Sequence, residues 1–200
     1  MQRKQYNASA VKHCFWFQEF RKTVEHLENS CSLDEIKNLC ETENIFDCAT
    51  PARARQIYHV VSARVRSLDS SFYPVFLHGD LSTKKLTALI AAMANDTLLF
   101  DLVYEVIRDK LIIGVQEFSS GDVRAFFRDV QQRDETAAKW TEETCRKLAT
   151  SYKTMLYEAG LTSKARDHRM IYKPTLEKEL EVWLRTHEMG VMIRALTGED

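Results

Sequence analysis

Glycine and proline are scarce in this chain of 200 residues, at six and three. Few positions therefore force a helix to break. Long apolar runs are missing too: stretches such as Leu111 to Val115 fall far short of the ~20 residues that a membrane span needs. The opening MQRKQYNASAVKH has no apolar segment of the kind a secretory signal carries. Five cysteines, Cys14, Cys31, Cys40, Cys48 and Cys145, are an odd number and form no C-x-x-C pair. That pattern predicts idle thiols in a reducing compartment, not a disulfide framework. The expectation is a soluble, cytoplasmic protein with no membrane partner.

Signatures of catalysis are absent as well. Neither G-x-x-x-x-G-K-[ST] nor G-x-G-x-x-G occurs, so no common phosphate cradle is available. H-E-x-x-H and G-x-S-x-G are missing. Cys31, Cys40, Cys48 and His59 lack the short paired spacing of structural zinc ligands. The reading is a protein without catalytic residues, metal or cofactor. A nuclease subunit built from scattered carboxylates and a metal stands as the enzyme-class alternative.

What is present is a composition of 44% hydrophobic and 28% charged residues. That is enough to bury a core as one domain or two small ones. Helix signals dominate. Ser9 is expected to open a first helix carrying Val11, Phe15, Phe20, Val24 and Leu27. Ser32-Leu33-Asp34-Glu35 is a capping box that launches a helix to about Glu43. Thr50-Pro51 pairs an N-cap with proline at the first helical position and predicts a helix to about Ser67, with Ile57, Val60, Val61 and Val65 inward. SSFYPVFLHGD, Ser70 to Asp80, is expected to form a short helix or structured turn whose length Pro74 and Gly79 limit, followed by a helix over Ser82 to Ala94. Asp96 caps an apolar helix from Thr97 to about Ile112, which Gly114 ends. Residues 1–114 are thus expected to form a helical bundle.

Residues 115–200 are patterned differently. A helix begins at Ser119 or Ser120, with Val123, Phe126, Phe127 and Val130 on one face and Arg124 and Arg128 on another. A second, N-capped by Thr141, carries an apolar stripe of Cys145, Leu148, Tyr152, Met155, Leu156 and Ala159. HRMIY, His168 to Tyr172, is a strand signal, and Thr175 starts a further helix. The order fits a winged helix-turn-helix with at most a short β-hairpin. The fold class is therefore all-α, mainly helical.

Charge is uneven although the net is −1. Residues 1–66 hold ten basic and eight acidic side chains, and 121–173 hold eleven and eight, whereas both remaining segments are acidic. Two basic groups stand out. Arg53, Arg55, Arg64 and Arg66 lie on the Pro51 helix, with Arg53 and Arg64 on one face and Arg55 and Arg66 on another. Lys139, Arg146, Thr150 and Lys153 lie opposite the apolar stripe of the Thr141 helix with Lys147 at the margin of that face, followed by Lys164, Arg166 and Arg169 in the wing-like segment. These residues can contact phosphates. The plainer reading of the Thr141 helix is a solvated face on which Glu143 pairs with Lys147 at i,i+4.

ENIFDCATPARARQIYHVVSARV, NDTLLFDLVYEVIRDKL, KWTEETCRKL and YEAGL, in that order, resemble the BrxA family of BREX phage-defence systems. The resemblance runs from about Leu27 to Leu161. Asn44-Ile45, the leucine-rich segment before Asp101 and Glu105, and Trp140 to Thr144 carry it most clearly, and Thr141 replaces the serine of a W-S-E-like motif. It implies a NusB-like helical part and a non-catalytic, DNA-binding accessory role in a system that methylates host DNA and blocks phage replication. Double-stranded DNA is the implied ligand, with RNA as an alternative, and other BREX proteins are implied partners. The competing expectation is an assembly or adaptor subunit that binds no nucleic acid.

Overall fold

The structure is a computed structural model that describes residues 3–199. It is mainly helical, and its buried residues form one continuous core. The first expected helix is the main correction. Ser9–Lys12 forms only a single 3-10 turn, and the helix proper, α1, spans Phe17–Glu28 after Trp16, which sits in the left-handed region at φ 50°. Phe15, Trp16 and Phe17 are all buried. An uninterrupted helix would turn three successive residues through ~200° and expose at least one. The break lets all three go inside.

α2 (Leu33–Thr42) starts at the Ser32–Glu35 capping box, with both reciprocal bonds made. In α3 (Pro51–Val65) the Thr50 hydroxyl accepts from the Arg53 N–H, and Ile57, Val60, Val61 and Val65 are buried. α4 (Phe72–His78) stops at Gly79, where a Cβ would lie 2.7 Å from Thr83 Cγ2 and 3.1 Å from the Val75 carbonyl. α5 (Leu81–Asn95) is capped by Asp80 rather than starting at Ser82. α6 (Thr97–Leu102), capped by Asp96, continues through a π-type turn, Val103–Ile107, into α7 (Arg108–Ile112). Gly114 then takes φ +75° and ends it. α1 to α5 pack on one another, and the apolar α5 and α6 fill the centre. Among the described residues no single helix is long and apolar enough to cross a membrane; Leu81–Asn95 and Thr97–Ile112 meet at 115°.

After α7 come β1 (Glu117–Phe118), α8 (Ser120–Arg133), a 3-10 turn at Ala137–Lys139, α9 (Glu142–Glu158) and β2 (Arg169–Met170). β1 and β2 pair antiparallel, Glu117 with Met170 and Phe118 with Arg169. An isolated bridge joins Thr162 to Ile171, so the returning strand lies between β1 and Thr162. α10 (Lys178–Thr186) packs on α4, and α11 (Gly190–Thr197) packs on the π-type turn and α7. The last helices thereby return to elements of the first 114 residues.

The described amino-terminal segment is also fastened to the helices. Arg3 Nη2 and the Tyr6 hydroxyl both donate to Asp101 Oδ2, at 2.7 and 2.5 Å, and Arg133 bridges Tyr6 to Glu105. Burial beside Asp101 pushes the Tyr6 phenol up to about 12. Asp101 and Glu105 are thus anchoring residues of the fold.

Candidate nucleic-acid interface

α9 positions three of the expected basic residues, Arg146, Lys147 and Lys153. Thr141 accepts from the Thr144 N–H, as an N-cap should, and Glu142 and Glu143 occupy the positive first turn. Leu148, Tyr152, Met155, Leu156 and Ala159 are buried, with Cys145 half-buried beside them. The stripe fixes which way the opposite face looks. Lys139, Arg146, Lys147 and Thr150 are exposed there. Within that face Glu143 accepts from Arg146 Nε at 3.0 Å and lies 3.3 Å from Lys147 Nζ. The i,i+4 pair is therefore real, and the two cations lean on one carboxylate. Such exposed pairs contribute only about 0.2–1 kcal/mol and yield readily to a competing anion. The Thr150 hydroxyl donates to the Arg146 carbonyl, one turn back along α9.

Lys153 is different, being half-buried with its ammonium 3.2 Å from Ser120 Oγ. Burial lowers its pKa, and Arg169 and Arg124 lower it further. In the loop before β2, Lys164 lies over the Tyr157 ring at 5.9 Å, and Lys164 and Arg166 are exposed. Arg169 is half-buried and donates from Nη1 to the Lys153 carbonyl at 2.6 Å. Helix and loop thus meet through Lys153 and Arg169.

The α3 arginines divide. Arg53 and Arg64 share a face as their spacing requires, but that face covers Trp16, with guanidinium carbons 5.3 and 5.9 Å from the ring centroid. Arg64 is 4% exposed. It donates to the Phe15 and Cys14 carbonyls at 2.6 and 3.0 Å, both freed by the break before α1. Arg64 is therefore not displayed on the surface as expected; it is part of the interior, and Arg53 is half covered. Arg55 and Arg66 remain exposed, Arg55 at 3.8 Å from Glu41.

Arg64 belongs to a polar junction that the sequence pattern did not reveal. Asp96 Oδ1 caps α6 through Leu98 and Leu99, while its Oδ2 accepts from the Tyr152 hydroxyl of α9 at 2.8 Å. Burial raises the Asp96 carboxyl above its ordinary range and the Tyr152 phenol well above its own. Burial also pulls Arg64 down to about 10, with the Asp96 charge opposing. His13, lining the same small polar cavity with Arg64 and Asp96, is pushed down to about 4 by burial and by Arg64 and His59. The junction ties α9 to the bundle.

The described residues contain no group of three or more His, Cys, Asp or Glu side chains placed to hold a metal. All five cysteines are free thiols.

Comparison with known proteins agrees over nearly the whole chain. The BrxA family model matches residues 4–188. A BREX protein BrxA from Bacillus cereus is 30% identical over 194 residues, which are 97% of this chain and 97% of that protein. Another, from Paramagnetospirillum magneticum, is 20% identical over 163 residues, 82% of this chain and 81% of its own. A crystal structure of an uncharacterized protein from Magnetospirillum magneticum superposes with a TM-score of 0.83 at 19% identity, over 98% of this chain and 100% of that one. It has the same fold.

Proposed function

Since the chain belongs to the BrxA family, which is implicated in BREX phage defence, we propose that it is a non-catalytic accessory protein that binds double-stranded DNA through phosphate contacts with little sequence specificity. The observation that carries this reading is the outward face of α9, with Arg146, Lys147 and Thr150 exposed, together with the exposed Lys164 and Arg166 of the loop whose Lys164 lies over Tyr157 near the end of the same helix. Its setting supports it. The order α7, β1, α8, α9, Thr162, loop, β2, with the last strand between the other two, supports reading this part as a winged helix. In that arrangement α9 is the helix offered to a groove and residues 163–168 are the wing. We keep the division into a NusB-like bundle over 1–114 and a winged part over 115–200 within this proposal, with α10 and α11 returning to the bundle. Arg55 of α3 and Arg66 at its C-cap are the exposed arginines of this helix that can add a second contact.

Glu142 and Glu143 stand in the first turn of α9, so contact falls on its middle, at Arg146, Lys147 and Thr150. No side chain there identifies a base-reading pair, and binding is driven by counterion release. Gel-shift titrations on duplex DNA, single-stranded DNA and RNA at several salt concentrations test the reading. Duplex affinity should fall steeply with salt, and Arg146→Glu with Lys147→Glu should lower it at least tenfold. No shift on any nucleic acid at low salt removes the proposal.

A second reading, docking of another BREX protein, is favoured by a separate observation. Ile113, Val115, Met170 and Tyr172 are exposed large apolar residues in and next to the small sheet. Met170→Ser and Tyr172→Ser, which add no charge beside the wing, should then abolish co-purification with other BREX proteins after nuclease treatment while leaving DNA affinity unchanged.

A further inference from the structure

The junction between α8, α9 and the wing gathers more positive charge than its own acids offset. Lys153 brings its half-buried ammonium to Ser120 Oγ, at 3.2 Å. Arg169 reaches back from β2 to the Lys153 carbonyl, and its Nε is buried without a hydrogen-bond partner. Arg124 folds back over the first turn of α8, its Nη2 3.9 Å from where a Cβ on Gly121 would stand. Lys153 and Arg124 therefore stand at the start of a helix whose end is itself positive, with Arg169 held on the adjoining stretch of α9. Burial pushes Lys153 towards its neutral form, Arg169 and Arg124 push it further, and Asp167 opposes them.

One carboxylate faces this group. Asp167, in the wing, accepts from the Ser120 N–H at 2.8 Å, and its pKa is lowered by the Ser120 backbone and side-chain bonds and by the charges of His168 and Arg124. Asp122 is engaged elsewhere, with Ser119 and with Lys110 at 3.1 Å. His168 turns to Glu117, at 2.6 Å. A single negative charge against three positive ones leaves an excess that an oxyanion of higher charge density can satisfy. Asp167 is exposed and lies in a loop without regular structure, held by its bond to Ser120 and by His168 Nε2 at 3.8 Å.

We infer that the Lys153–Arg124–Arg169 junction is a seat for one backbone phosphate of the bound nucleic acid, and that Asp167 occupies it in the free protein as a built-in competitor. The inference rests on the nucleic-acid reading above and adds residues to it. On binding, a phosphodiester oxygen takes the Ser120 N–H, the cations turn to it, and Asp167 leaves with the wing. No covalent bond changes. The consequence is counterintuitive for a wing residue: removing a polar side chain strengthens binding.

The test measures a fluorescent duplex by anisotropy against the full chain at several salt concentrations. Asp167→Asn should tighten binding several-fold and steepen the salt dependence by about one counterion. Glu117→Gln makes the same charge change next door without touching the junction, and should alter affinity less than twofold. Adding Lys153→Gln to Asp167→Asn should cancel the gain. Inorganic phosphate, at constant ionic strength, should compete with the duplex for Asp167→Asn more strongly than chloride does, which separates a phosphate seat from general basic charge. If the wild type binds but Asp167→Asn is no tighter, or Glu117→Gln matches it, or the gain survives loss of Lys153, the competitor idea falls and the interface reading stands. If neither protein binds any nucleic acid at low salt, both fall.

Discussion

Replacing Arg64 with methionine separates an arginine that builds the fold from one that touches a ligand. The methionine keeps much of the unbranched stem, so the change removes chiefly the guanidinium. Two carbonyls, of Phe15 and Cys14, lose their donor, and each orphaned buried acceptor costs about 1–3 kcal/mol. Asp96 also loses a positive charge that favours its ionised form. Against this, the burial penalty on the charged guanidinium disappears. The net is a loss of about 3 kcal/mol. For a chain of this size that lowers Tm by roughly 6–12 °C. Urea unfolding followed by far-UV circular dichroism should show a lower midpoint at unchanged slope. Arg66→Met, at an exposed position on the same helix, should stay within about 0.5 kcal/mol of wild type. Equal behaviour of the two variants, or a loss below about 1 kcal/mol for Arg64→Met, would refute an interior guanidinium.

Tyr152→Phe should destabilise by about 1–2 kcal/mol, because Asp96 Oδ2 loses its donor; a double-mutant cycle with Asp96→Asn should show coupling between the two sites. His13 is held down to about 4 in the folded protein against an ordinary 6.5. The folded state thus binds this proton less readily than the unfolded chain, and stability that is full above pH 6.5 is lost as pH falls towards 4. His13→Gln should flatten the urea midpoint across that window, and an unchanged pH profile would contradict the burial of the ring. Glu143→Gln should leave the urea midpoint essentially unchanged, since the pairs it breaks are exposed, and should tighten duplex binding by freeing Arg146 and Lys147.

Local chemistry made the helix starts legible. Ser32 with Glu35, Thr50 before Pro51, Asp96, and Thr141 each satisfy an orphan amide with a side chain close in sequence, so no distant residue is needed to place them. Apolar spacing likewise identified the inner faces of α3, α8 and α9. Spacing could not say which way a polar face looks. Arg53 and Arg64 share a face, but only the packing of Trp16 reveals that this face is inward. The same limit hid the break before α1, which depends on burying three consecutive aromatics. It also hid the anchoring of Tyr6 to Asp101 across 95 residues. Asp101 did leave a trace, as a lone acid among the leucines of LLFDLV. Ser120, Arg124 and Asp167 left none, because they meet only when the wing folds back on α8.

The central claim is that the outward face of α9 binds duplex DNA through phosphates. Its most direct test is the salt dependence of duplex affinity for the wild type and for Arg146→Glu with Lys147→Glu, both confirmed folded by urea midpoint. The account predicts a steep negative slope of log affinity against log salt for the wild type, and a shallower slope by about two counterions with affinity lost at least tenfold for the variant. Identical slopes and affinities for the two proteins would contradict it.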